Sequence, residues 1–276
     1  MIVPETPTKC GDGNDARTAV AAHPYWYHTI EVAPGVVTPG WFDLRGTVGD
    51  LPWPDVEGKR CLDVGTADGF FAFELERRGA SEVVAADLAD HTQWDWPSHL
   101  RDRGVEFLRW IAGPRKGVGL RLAIELRGSA VVPIERSAYE LAPDDLGHFD
   151  VITCGSLLLH LRDPIRALEA IRSVCAEKLL VTNQIERSPL LSRRRPVARL
   201  DGASDLCQWW LPNIKGHEQM VRAAGFEIDI SSGAYAVGFG SSHPPSRSPV
   251  RYRVLKRAIG GGEGVPHHAI LARPSS

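Results

Sequence analysis

Asp63, Gly65, Gly69 and, further on, Asp87 are the residues of this chain whose types and spacing can do chemistry together. They lie in KRCLDVGTADGFFAFELERRGASEVVAADL. A short apolar run (Cys61, Leu62, Val64) leads into Gly65-Thr66-Ala67-Asp68-Gly69, a helical pattern follows through Arg78, and a second apolar run ends on Asp87. That order reads strand, tight turn, helix, strand, acid. Glycine at 65 and 69 admits backbone angles closed to other residues and lets a ligand lie against the chain. Asp87 follows Gly65 at close to the roughly 20 residues that set a carboxylate on a ribose hydroxyl pair. The pattern predicts a ribose-bearing ligand at the mouth of a parallel sheet.

The charges around the turn select among such ligands. A dinucleotide fingerprint needs glycine at three fixed offsets so that pyrophosphate can rest on the helix N-terminus. Counted from Gly65, the other two positions hold Ala67 and Phe70. Asp63 and Asp68 flank the turn and repel a pyrophosphate, so a ligand carrying positive charge fits better. The D-x-G-x-x-x-G arrangement of Asp63, Gly65 and Gly69 resembles the first motif of the class I S-adenosylmethionine-dependent methyltransferases. That resemblance implies S-adenosyl-L-methionine as cofactor, with Asp87 as its ribose-binding acid. Its cofactor-binding set here is Asp63, Gly65, Thr66, Ala67, Gly69, Asp87 and Leu88, joined by Ser137 and Ala138 at the exit of the third strand and Cys154 on the fourth.

The elements that must position these residues follow in order. Residues 1–22 mix Pro, Thr, Gly and Asp with little periodicity and read as a loose tail. Residues 23–57 carry a run of aromatics and histidines, among them Trp26, Tyr27, His28, Trp41 and Phe42, which either lies over the site as an N-terminal lid or plugs the sheet edge. The catalytic domain is expected over 58–276. Strands are expected near 61–64, 83–86, 130–134, 149–156, 178–183, 226–230 and 267–272, with helices between them and a loop insertion at 241–264. Asp163 is a good N-cap and Pro164 a good first helical residue, and Gly225 is a glycine stop. Such alternation predicts an α/β fold, a doubly wound, Rossmann-like, mostly parallel seven-stranded sheet with an antiparallel terminal hairpin.

Composition bounds the rest. At 276 residues the chain can bury a sizeable core, and its formal net charge of −2 argues against a protein that coats nucleic acid. Cys10, Cys61, Cys154, Cys175 and Cys207 are odd in number and show no CxxC spacing, so thiols in a reducing cytoplasm are expected. No apolar run reaches the ~20 residues of a spanning helix.

Beyond the first motif, three stretches resemble the methyltransferase branch related to tRNA wobble-uridine carboxymethyl transferases: WYHTIEVAPGVVTPGWFDLR, FDVITCGSLLLHLRDPIRALEAIRSV and WWLPNIKGHEQMVRAAGFEI. The last holds Trp210, Pro212 and Asn213 in that branch's W-x-P-N order. The resemblance implies alignment of acceptor, methyl carbon and sulfur as the main catalytic task. His160 and His28 are the candidate bases for an acceptor that must lose a proton, although each can equally serve as a packing or loop-capping histidine. Trp26, Tyr27, Trp210 and Asn213 are the candidate acceptor contacts. The expected acceptor is a small molecule with an O, N or C nucleophile. The alternative is tRNA, held by Arg187, Arg193, Arg194, Arg195 and Arg199, a run that also suits a solvated loop.

Overall fold

Cys61 and Asp63 point to one face of the first parallel strand, Leu62 and Val64 to the other, and both faces are buried. The computed structural model describes residues 13–113, 115–187, 194–202, 207–243 and 264–275. Within them the central sheet has nine strands: β1 (Phe42–Asp43), β2 (Arg60–Val64), β3 (Glu82–Asp87), β4 (Val132–Glu135), β5 (Phe149–Gly155), β6 (Cys175–Gln184), β7 (Phe226–Ser231), β8 (Tyr235–Phe239) and β9 (Val265–Pro274). Their spatial order is β1-β8-β9-β6-β5-β2-β3-β4, with β7 also paired to β9. Strands β4, β3, β2, β5 and β6 run parallel, and β9 returns antiparallel between β6 and the β7–β8 edge.

The seven expected strands are all present, and the terminal pairing of β7 with β9 is antiparallel. The two additional strands are short. β8 continues along β9 beyond β7, and β1 adds to its free edge through Gly238↔Asp43 and Phe239↔Phe42. Period-2 patterning does not reveal them, because two to five residues at an edge are too few to alternate.

Helices cover both faces. α1 (Gly13–Ala22), α2 (Phe70–Arg77) and α3 (Val118–Arg127) share one apolar cluster with Cys61, Val83, Ala85 and Val151. α4 (Pro164–Ser173) and α5 (Ile214–Ala223) share the other with Leu62, Val84, Ile152, Leu179 and Ile270. Asp163 caps α4 by accepting from Arg166 N at 3.0 Å, ahead of Pro164. Strand order reverses between β2 and β5, so the crevice at their carboxyl ends is the topological switch point where α/β ligands bind.

The tail expected over 1–22 is corrected over its second half: 13–22 form a helix that buries Ala16 and Val20. The remainder of that tail lies outside the described residues. The segment after α1 is integral to the fold. Trp26 is 1% exposed, its indole N–H donates to Val20 O at 3.1 Å, and Trp41 N reaches back to Trp26 O. Trp26 is therefore core rather than an acceptor contact. Substituting Trp26 by Ala should cost about 3–5 kcal/mol of stability, read as a lower urea midpoint for the whole chain. An unchanged midpoint would mark the N-terminal segment as a detachable lid.

Candidate active site

The turn after β2 is held by carboxylates. Gly65, Ala67 and Gly69 all have left-handed φ, +74°, +48° and +94°. For Ala67 this is uncommon and needs support from outside the turn. Asp87 at the tip of β3 supplies it, accepting from Ala67 N at 2.8 Å and from Leu88 N at 2.7 Å. A Cβ on Gly65 would come within 2.9 Å of Leu157, and on Gly69 within 2.6 Å of Leu120.

Asp63 lies beneath the turn, 1% exposed, and one of its oxygens accepts from the Thr153 hydroxyl at 2.7 Å. Its other oxygen and the Thr66 hydroxyl are buried without a hydrogen-bond partner of good geometry. Asp68 accepts from Tyr27 N at 2.5 Å and His28 N at 3.0 Å, which ties the N-terminal segment to the turn. Burial pushes Asp63 up to about 6 and lifts Asp68 and Asp87 above the usual carboxylate range, against the N–H groups that hold them ionised. These groups fit a sulfonium nucleoside: a carboxylate with lone pairs to spare for a ribose diol, an unpartnered buried carboxylate oxygen for positive charge, and bare glycine backbone. Beside Asp87 runs a small cleft between β3, β4 and α3, lined by Ala89, Ile134, Glu135 and Leu120. Leu88, the expected cofactor contact, does not line this cleft, and its neighbour Ala89 does.

Several expected site residues have other employment. Cys154 is fully buried in the apolar cluster, its thiol pushed up by burial, so it supports the sheet and lines no surface. Ala138 is likewise in that cluster, while Ser137 accepts from Tyr139 N within the β4 exit loop. Asn213 caps α5: its side-chain oxygen accepts from Gly216 N at 2.7 Å and its amide donates to Arg195 O at 2.9 Å. Trp210 donates to Arg162 O, and the Nδ1–H of His160 donates to Cys207 O, so both stitch the loops beyond β5. His28 stands at the mouth, its ring against Tyr27 and Phe70 and its Nδ1 buried without a partner. Burial, reinforced by the Lys116 charge, holds it down to about 3, so it is a weak base.

A different pair occupies the next strand tip. Ser156, directly after β5, has φ +53°, a left-handed value that a non-glycine residue adopts under constraint. The Nδ1–H of His267 donates to Val265 O at 2.9 Å, which leaves Nε2 to accept the Ser156 hydroxyl at 2.8 Å. Strand pairings set the tips in the order Glu135, Asp87, Gly65, Ser156, His267 along one edge. Sequence reasoning missed this pair, since 111 residues separate its members, and it also missed Asp68 as a clamp and Lys116.

Two measurements test this electrostatic picture. Burial lowers His28 to about 3 and His91, His267 and His268 to about 4, and holds His217 well below its ordinary range. The unfolded chain takes up these protons near 6.5, so stability should fall as pH drops from 6.5 towards 4. Asp63, raised to about 6, and Asp68 and Asp87, also raised, oppose this with the reverse sign but are outnumbered by the five histidines. Melting temperatures that rise between pH 7 and 5 would contradict the assignment. In nitrogen-resolved NMR, His267 should show the Nδ1–H tautomer, and Ser156→Ala should raise its pKa by removing a donor to the neutral ring. An unmoved pKa would mean that the two side chains are not coupled in solution.

Comparison with known proteins bears on the family and the fold. A family profile described as a methyltransferase domain matches residues 44–229. A tRNA U34 carboxymethyltransferase of Pseudomonas fluorescens is 24% identical over 213 residues, 70% of this chain and 58% of that protein. A ubiquinone biosynthesis O-methyltransferase of Acinetobacter baumannii is 28% identical over 129 residues, 45% of this chain and 44% of that protein. The chain thus spans little more than half, or less, of these curated relatives. Among solved structures, the N-terminal domain of EvdMO1 with S-adenosylhomocysteine bound aligns with a TM-score of 0.53 at 14% identity, covering 96% of this chain and 98% of that one. A putative methyltransferase from Bacillus halodurans aligns with a TM-score of 0.50 at 14% identity, covering 84% and 99%. Such likeness speaks for the fold, and the profile, spanning more than half of the sequence, establishes that the chain belongs to the methyltransferase-domain family.

Proposed function

We propose that the chain binds S-adenosyl-L-methionine across the tips of β2 and β3 and transfers its methyl group to a small-molecule acceptor, with an O–H nucleophile favoured over N or C. The observation that carries the reading is the glycine turn braced by Asp87 over the buried, half-partnered carboxylate of Asp63. Asp87 would hold the ribose and the Gly65 turn the amino-acid end, and Ser156 stands at the next tip along the same edge.

The bound cofactor supplies an electrophilic methyl carbon with a neutral thioether as leaving group. What remains for the protein is alignment, worth on the order of 7–11 kcal/mol in favourable cases, and a place for the acceptor's proton. Ser156 and His267 provide one: burial holds the ring at about 4, so it takes the proton only as the positive charge of the sulfonium beside it is lost. Ser156 Oγ would accept from the acceptor hydroxyl and pass its own proton to His267 Nε2, so that the acceptor oxygen could take the methyl group with its proton already placed. The ubiquinone relative, named as an O-methyltransferase, supports an oxygen acceptor.

The tRNA reading has the Pseudomonas relative in its favour. Against it, Arg199 of the basic run is matched by Glu186 at 3.1 Å and Asp201 at 3.9 Å, which leaves it a poor phosphate ligand. Arg193 lies outside the described residues. No described helix is long and apolar enough to cross a membrane.

Calorimetry should show S-adenosylmethionine binding that Asp87→Ala weakens by about 1.5–3 kcal/mol, the cost of a charge-assisted hydrogen bond. Undiminished affinity in the variant would remove Asp87 from the site. Acceptor class is decided by radiolabelled methyl transfer to catechols and hydroxybenzoates against bulk tRNA, with salt-sensitive tRNA binding as the mark of the rival reading.

A further inference from the structure

Gly113 ends a helix at Val105–Ala112 and Gly117 begins α3, with left-handed φ of +76° and +80°. This loop brings Lys116 to the mouth of the site. The Lys116 ammonium lies 4.3 Å from the centroid of the Tyr25 ring, 5.6 Å from Trp94 and 5.9 Å from Tyr27. Those rings come from two separate segments, the N-terminal one and the loop after β3. Asp68 and Asp87 are the charges that act on the ammonium most strongly, and Asp68 shares a small cavity with it, Tyr25 and His23. Among the described residues, Lys116 Nζ makes no hydrogen bond and no ion pair within 4.0 Å. Burial lowers its pKa, against the pull of both carboxylates.

This is an unusual setting for an ammonium. Ring faces and carboxylates attract positive charge of any kind. An ammonium, however, has three N–H donors that seek acceptors, and here no group of the described residues receives them. A sulfonium carries the same charge and has no N–H donor, so it gains the same attraction without leaving a donor unmet. The site is better matched to a donor-free onium cation than to the lysine that holds it.

We propose that Tyr25, Tyr27 and Trp94, backed by Asp68 and Asp87, form a seat for the cofactor's sulfonium, and that Lys116 is the chain's own placeholder, displaced when the sulfonium enters. The proposal rests on the cofactor reading above and adds a consequence for turnover. Methyl transfer turns the sulfonium into a neutral thioether, which has no charge to keep the seat, so the Lys116 ammonium returns and favours product release. The glycines at 113 and 117 give the loop the backbone freedom for that exchange.

Acylation of lysines by N-hydroxysuccinimidyl acetate, quantified by mass spectrometry, reads the position of Lys116 directly. Labelling of Lys116 should be slow in the protein alone, rise several-fold with S-adenosylmethionine and stay slow with S-adenosylhomocysteine. Trimethylsulfonium chloride should raise it as well, while ammonium chloride at the same strength should not. That arm is independent of the nucleoside, so it separates failure of the seat from failure of the cofactor reading. In calorimetry, Lys116→Met should tighten S-adenosylmethionine about three- to tenfold and change S-adenosylhomocysteine less. Protection of Lys116 by S-adenosylmethionine together with weaker binding in the Met variant would overturn the proposal and make Lys116 an anchor for an anionic group. Labelling indifferent to both sulfonium compounds would overturn it too.

Discussion

Three carboxylates converge on one glycine turn, and the local structure answers them almost entirely with backbone N–H groups. Asp87 takes the amides of Ala67 and Leu88, Asp68 takes those of Tyr27 and His28, and Asp63 takes the Thr153 hydroxyl. Amides orient a carboxylate but do not neutralise it, so negative charge accumulates where the sheet opens. Burial lifts all three carboxyls. The site therefore attracts positive charge, and this one electrostatic constraint accounts for both the preference for a sulfonium nucleoside and the presence of Lys116.

The sheet makes that convergence possible. Asp63 and Asp87 stand on adjacent parallel strands, with Asp63 paired to Ala85 and Asp87 one residue beyond the Val64↔Ala86 pair. Side chains buried on both faces of β2 and β5 prevent register slippage, since a slip of one residue would turn Asp63 into the opposite apolar cluster. The N-terminal segment belongs to the same construction. Its amides are bound by Asp68 at one end of the segment, and Phe42 extends the sheet at the other. It is a wall of the site built into the core.

Along the open edge the chemistry is divided by strand. The tips of β4, β3 and β2 offer the Asp87 carboxylate and bare backbone, whereas the tips of β5 and β9 offer the hydroxyl–imidazole pair of Ser156 and His267. This division follows from the reversal of strand order between β2 and β5, which places the start of the second half of the chain beside the start of the first.

By itself the sequence determined the parts that depend on neighbours in the chain. The glycine turn, the acid at the end of the next strand, the seven main strands and the Asp163–Pro164 helix start were all legible, because strand alternation, turn chemistry and capping act over a few residues. Only the tertiary structure decided what depends on distant partners. Asn213 and His160 look like site residues in sequence, yet Asn213 caps α5 and His160 bonds the backbone of Cys207. Trp26 looks like an acceptor contact and is core. Conversely, Ser156 with His267, and Lys116 with Tyr25 and Trp94, have no local pattern to betray them. The physical reason is common to all of these: a side chain's role follows from which groups meet it in space, and no period or spacing carries that information when the partners lie on different strands and loops.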